Sequence, residues 1–140
     1  MTSSKSIAAP FRAQLLSNGR YSVMLTSAGG GYSRWRDLAL TRWREDPTRD
    51  GWGSHVLLRD LDDGRVWSTG LMPPGDVPDR HAVDFSQGRA AIVRDDGSLK
   101  TTLEIAVVAD HDAELRCVTL ENRGSNPRMI ELTSYAELVL

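Results

Sequence analysis

The sequence has a single cysteine, no long apolar run, no excess of either charge and no stretch of sustained helical period. Each absence excludes something. Cys117 alone cannot close an internal disulfide, so a secreted disulfide scaffold is excluded and a reducing compartment, the cytoplasm, is expected. No run approaches the roughly 18 apolar residues of a spanning helix. Met1–Pro10 has one lysine and only Ile7-Ala8-Ala9 as an apolar stretch, too little for the apolar region of a signal peptide. Seventeen basic against nineteen acidic side chains leave a net charge of −2, which argues against a general binder of nucleic acid or anionic membranes. Aromatics are few at 6%, but four of the nine are tryptophan. What remains is ordinary: 40% hydrophobic and 26% charged residues over 140 positions, the composition of one globular domain rather than a disordered or collagen-like chain.

The dominant period is two. Tyr21, Val23 and Leu25 alternate with Ser22, Met24 and Thr26. Thr101, Leu103, Ile105 and Val107 alternate with Thr102, Glu104, Ala106 and Val108, and Ile130 to Val139 repeats the pattern. Alternation of this length predicts strands with one buried face. Asn18-Gly19, Asp63-Gly64 and Asp96-Gly97 supply the positive φ that tight turns need. Seven to nine strands are expected, as an all-β antiparallel sandwich over residues 11–140 behind a flexible lead-in at 1–10. Leu38–Arg44 has the makings of a short helical turn, stopped by Asp46-Pro47. The last alternating strand runs uncapped to Leu140, so the chain is expected to be the N-terminal part of a larger fold, or to pair its end with another chain.

Chemistry concentrates in Gly29–Gly53, read as a long segment outside the strand pattern. It carries three tryptophans (Trp35, Trp43, Trp52), Tyr32, five arginines and four acids. Long loops of this kind are functional or disordered, and tryptophan at this density argues against disorder. Indole rings stack on the apolar C–H face of a pyranose, while Arg and Asp forks take hydroxyls. The same residues also suit a structural loop, with Arg–Asp pairs satisfying one another and Arg stacked on Trp. Gly29-Gly30-Gly31 lacks the Gly-Lys-Ser/Thr of a phosphate loop and is expected to make a sharp turn.

The other chemistry-bearing residues are scattered. His55, His81 and His111 have no metal-ligand spacing, so no metal or other cofactor is expected. Cys117, within a strand and without a Cys-x-x-Cys partner, is expected as a buried thiol. Ser33 lies outside any nucleophile-elbow motif. Asp62-Asp63 and Asp95-Asp96 fall at turns, where aspartate serves the backbone. Asp110-His111-Asp112 and Arg123–Arg128 are expected as solvated turns. No catalytic residue is assigned.

Several blocks together resemble a known family. They are Leu16–Tyr21 (LSNGRY), Ala28–Asp37 (AGGGYSRWRD), Thr41–Asp50 (TRWREDPTRD), Trp52–Asp60, Val66–Gly70 and Thr133–Leu140 (TSYAELVL). They resemble the N-terminal supersandwich domain of glycoside hydrolase family 94, formerly glycosyltransferase family 36, in its cyclic β-1,2-glucan synthase-like branch. Cellobiose and chitobiose phosphorylases are more distant. The resemblance implies a β-sandwich that precedes a catalytic (α/α)6 barrel, which this chain lacks, and therefore no positions for the family's catalytic residues. It also implies sugar or subunit contact at Tyr32, Arg34, Trp35, Arg36, Asp37, Arg42 and Trp43.

The expected function is that of a non-catalytic carbohydrate-binding and scaffolding fragment of a β-glucan phosphorylase or cyclic β-1,2-glucan synthase. Its partners would be a β-glucan or glucosyl oligosaccharide and a catalytic barrel or second subunit. The parent enzyme would lie in the cytoplasm or at the inner membrane. Two alternatives stand beside it: an assembly module without sugar binding, and a truncated product that does not fold alone. Trp35→Ala is expected to weaken sugar binding while leaving the sandwich folded.

Overall fold

The computed structural model describes residues 12–44, 51–73 and 75–139. The lead-in at 1–10, and Glu45–Asp50 of the aromatic–arginine segment, lie outside the described residues. Eleven strands and no helix are present among the described residues. In chain order they are β1 Ala13–Ser17, β2 Tyr21–Thr26, β3 Gly31–Trp35, β4 Leu38–Ala39, β5 Ser54–Asp60, β6 Val66–Ser68, β7 Arg80–Ser86, β8 Arg89–Asp96, β9 Leu99–Val107, β10 Glu114–Asn122 and β11 Ile130–Ala136. They form three antiparallel sheets, ordered β1-β2-β3-β4, β10-β9-β8-β7 and β11-β5-β6.

The alternation fixes which faces meet. Thr101, Leu103 and Ile105 of β9 share one face and are fully or nearly buried. With Ala90 and Ile92 of β8, Leu103 and Ile105 pack against Leu16, Tyr21, Val23 and Leu25 of β1 and β2. Leu99, toward one end of that same β9 face, packs with Leu58 of β5 and Trp67 of β6. The four-stranded β7–β10 sheet is therefore one layer, and the other two sheets lie side by side on it as the second. Each buried leucine or isoleucine contributes about 1.5–3 kcal/mol relative to exposure.

The two smaller sheets are joined where their chains cross. Gly31 N–H donates to Trp52 C=O at 2.9 Å. A methyl group on Gly31 would overlap the Met24 carbonyl, and one on Gly53 would press on the Gly31 carbonyl, so only glycine permits this approach. Thr41 bridges Leu138, and Val139 N–H donates to Leu40 C=O at 3.0 Å, so the segment after β11 runs antiparallel to 40–42.

Several expectations change. Eleven strands form among the described residues rather than seven to nine. Gly29–Gly53 is not a strand-free loop, because β3 and β4 form within it, and Leu38–Ala39 pairs with Arg34 and Trp35 instead of turning helically. β11 forms, but nearly all of it is exposed on both faces, since it is the edge of its sheet. Cys117 is exposed, because alternation in β10 puts it with Leu115 on the outer face. Arg128 is not solvated: with Asp60, which is 2% exposed, it forms an ion pair that holds the 123–129 connection against β5. This pairing, with the Asp62 backbone N–H as the larger cause, lowers the Asp60 pKa. Asp96 is more than a turn residue: its carboxylate takes Arg94 Nε at 2.7 Å and Nη2 at 2.9 Å inside the core. Arg94 also donates to the Gly70 and Asp76 carbonyls, tying down the loop before β7.

Candidate functional site

Local sequence places the aromatic–arginine residues on both faces of one hairpin. Gly31, Ser33 and Trp35 share the inward face of β3, and Tyr32 and Arg34 share the outward one. Arg36 and Asp37 form the two-residue turn to β4. Arg36 adopts φ 51°, a left-handed conformation rare outside glycine and asparagine.

On the outer face the Tyr32 and Trp43 rings meet edge to face, with centroids 5.5 Å apart at 62°. Trp43 keeps 37% of its surface exposed. Arg34 is exposed beside them, and its Nη2 makes only a long 3.4 Å bond to the Asp37 carbonyl. Arg42 pairs with Glu137 at 3.2 Å. This is an aromatic corner with unspent guanidinium donors nearby, the chemistry of a hydroxyl-rich ligand.

Trp35 is differently committed. Its ring packs against the larger core cluster, and its Nε1 donates to Asp112 Oδ2 at 2.6 Å. The Arg36 guanidinium lies 4.9 Å over the ring. Arg20 Nε donates to the other Asp112 oxygen at 2.8 Å. The Trp35 and Arg20 hydrogen bonds hold the Asp112 carboxyl below its ordinary range. Asp112 is thus exposed, as a turn residue is expected to be, and an anchor as well. The seven residues therefore divide: Tyr32, Arg34 and Trp43 make an outer patch with Arg42 at its border, while Trp35 and Arg36 cap the core and Asp37 holds the turn.

Composition gave no hint of a second polar group, between the layers. Glu114 Oε2 accepts from Ser33 Oγ at 2.7 Å and from Tyr21 OH at 3.4 Å, and Oε1 accepts from Arg116 Nε at 2.8 Å. Burial, with Glu114 beside it, pushes the Tyr21 phenol above its ordinary value of 10. The available signal was polar residues at inward strand positions: Ser33 in β3, and Glu114 and Arg116 ahead of Val118 and Leu120 in β10. Among the described residues, no group of three or more His, Cys, Asp or Glu is placed to hold a metal ion. No described helix is long and apolar enough to cross a membrane.

Comparison with known proteins bears on this fold. The sequence profile of the glycosyl hydrolase 94 supersandwich domain matches residues 3–140. The chain is 44% identical over 126 residues to cyclic beta-(1,2)-glucan synthase NdvB of Rhizobium meliloti (strain 1021), covering 90% of the chain and 4% of that protein. It is 27% identical over 131 residues to N,N'-diacetylchitobiose phosphorylase of Vibrio furnissii. The corresponding phosphorylase of Vibrio proteolyticus is 26% identical over the same length. Each phosphorylase match covers 87% of the chain and 16% of the relative, so the chain spans only a small part of the proteins it matches. An all-β antiparallel sandwich with a profile match across nearly its whole length belongs to the glycosyl hydrolase 94 family, as part of its supersandwich domain.

Proposed function

We propose that this chain is a non-catalytic carbohydrate-binding and scaffolding unit of a glucan-processing enzyme, acting in the cytoplasm or at the inner membrane. Its ligand is a β-linked glucan or glucosyl oligosaccharide. Contact falls on Tyr32, Arg34, Trp43 and Arg42, with Trp35, Arg36 and Asp37 shaping the turn that presents them. The observation that carries the reading is the exposed Tyr32–Trp43 corner with Arg34 beside it. An indole can cover the C–H face of a glucose ring there while guanidinium donors take its hydroxyls. Membership of a family whose matched relatives include a glucan synthase and chitobiose phosphorylases supports that ligand class. The scaffolding role packs the sandwich against a catalytic barrel or a second subunit. The exposed apolar residues of β11 and its extension, Leu132, Tyr135 and Leu138, support that half of the reading.

The test is tryptophan fluorescence during titration with β-linked glucose oligosaccharides, on the parent chain and on Trp43→Ala. Saturable quenching that Trp43→Ala abolishes is the expected result. Absence of quenching, together with concentration-dependent association, would replace sugar binding with the assembly reading.

A further inference from the structure

We propose that the cleft where the three sheets meet is a second ligand site, for a neutral polyhydroxylated molecule the size of one or two sugar rings. This rests on the carbohydrate reading above but uses residues that the outer patch does not. The cleft has a volume of about 370 Å³. That lies near the lower end of ligand pockets, which run from roughly 300 to 1,000 Å³. Its polar side is Tyr21, Ser33, Thr41 and Glu114. Its apolar wall is Leu40, Leu138 and Val139.

Charge selects the ligand class. Arg116 Nε neutralises Glu114 through the 2.8 Å pair, and Arg116 Nη1 is spent on the Ser54 carbonyl at 3.0 Å. An anion would meet a carboxylate and, among the described lining residues, no free cation. A cation would have to compete with an arginine already in place. A neutral hydroxyl needs neither, because it can donate to Glu114 Oε2 and accept from Tyr21.

The hydrogen bonds leave room for this. Ser33 Oγ holds Glu114 Oε2 tightly at 2.7 Å, but the Tyr21 hydroxyl reaches the same oxygen only at 3.4 Å. A ligand hydroxyl entering between them would make two short bonds in place of one long one. The raised Tyr21 pKa keeps the phenol protonated as that donor. An analogue lacking the hydroxyl would forgo both short bonds and bind more weakly.

The wall supplies the other half of sugar recognition. Leu138 and Val139 remain 61% and 43% exposed although they border a cavity. Their backbone is fixed by the bonds of Val139 N–H to Leu40 C=O and Arg42 N–H to Glu137 C=O, at 3.0 and 2.9 Å. They therefore present a positioned apolar surface to the C–H face of a ring.

The experiment is a titration of the ¹⁵N-labelled chain with a β-1,2-linked glucose disaccharide, followed amide by amide. Two variants accompany the parent: Ser33→Ala and Leu138→Trp, the second narrowing the mouth without touching the polar network. Well-dispersed spectra report folding of each variant directly. The expected result is saturable shifts at Ser33, Thr41, Ser54 and Glu114, weakened about tenfold or more by Ser33→Ala and by Leu138→Trp. Shifts confined to Tyr32, Arg34 and Trp43 would overturn the cleft site and leave the outer patch standing. Shifts at the cleft residues with unchanged affinity in Ser33→Ala and Leu138→Trp would also overturn it. No saturable shift anywhere would overturn both.

Discussion

Trp35 and Trp43 stand eight residues apart in one segment, yet the structure predicts opposite consequences for truncating them. Trp35→Ala removes a half-buried ring from the larger core cluster. Full burial makes a Phe or Trp→Ala change cost roughly 3–5 kcal/mol, so a half-buried ring loses about 2 kcal/mol from packing alone. The lost bond to Asp112 and the freed Arg36 act in the same direction, moderated by the water that reaches both. Trp43→Ala removes a more exposed ring that belongs to neither core cluster, and its edge-to-face pair with Tyr32 is worth about 0.5–1.5 kcal/mol beyond the area it buries. Urea denaturation followed by far-UV circular dichroism separates the cases. With an m-value of about 2 kcal/mol/M, Trp35→Ala lowers the midpoint by about 1 M or more, and Trp43→Ala by less. Trp35→Phe, which keeps the ring but not the donor, falls between. A Trp35→Ala midpoint no lower than that of Trp43→Ala would refute the seating of Trp35 on the core. It would return Trp35 to the role expected from sequence, a ligand contact whose loss leaves the fold intact.

Arg94→Ala strands the Asp96 carboxylate and two loop carbonyls in the core, and should lower stability by about 3–5 kcal/mol in urea melts. The double change Arg94→Met with Asp96→Leu should recover much of that loss, because no charge is then left buried. Gly31→Ala forces a methyl group into the Met24 carbonyl and should cost at least about 3 kcal/mol, whereas Gly19→Ala, with open space around it, should cost less, as comparative thermal melts would show. Burial first, and the Arg94 charge second, hold the His81 pKa below its ordinary 6.5, so the unfolded chain binds this proton more readily than the folded one. Stability from His81 is therefore complete above pH 6.5 and falls as pH drops through the folded-state pKa, and His81→Gln should flatten the melting-temperature profile in that acid window.

The strands that sequence made legible are those whose inward residues are all apolar or nearly so. β9 shows its face through Leu103 and Ile105, and Asp96-Gly97 marks the turn before it with Gly97 at φ 61°. β7 carries neither signal: its hairpin turns through Gln87-Gly88, without an Asx-Gly pair, and its inward row begins with His81. β11 shows the opposite failure. Its alternation is clean, but periodicity says only which residues share a face, and β11 lies at a sheet edge where that face is left uncovered. Cys117 is exposed for the same reason, since a strand position does not tell inward from outward.

The candidate site divides along the same line. Tryptophan and arginine density marked the right segment, but β3 was hidden because its inward row is Gly31, Ser33 and Trp35, which no hydrophobic pattern detects. Ser33 reads as a break in a strand until Glu114, 81 positions later, is brought opposite it to accept its proton. Two polar residues at inward positions are each a defect alone and a bonded pair together. Their pairing depends on how the two layers stack, which neither local period contains. A sequence reading that collected inward polar residues from every strand, instead of discarding them as noise, would have gathered Ser33, Glu114 and Arg116 along with others such as Arg94 and Thr101. Ser33, Glu114 and Arg116 meet in one network at the sheet junction.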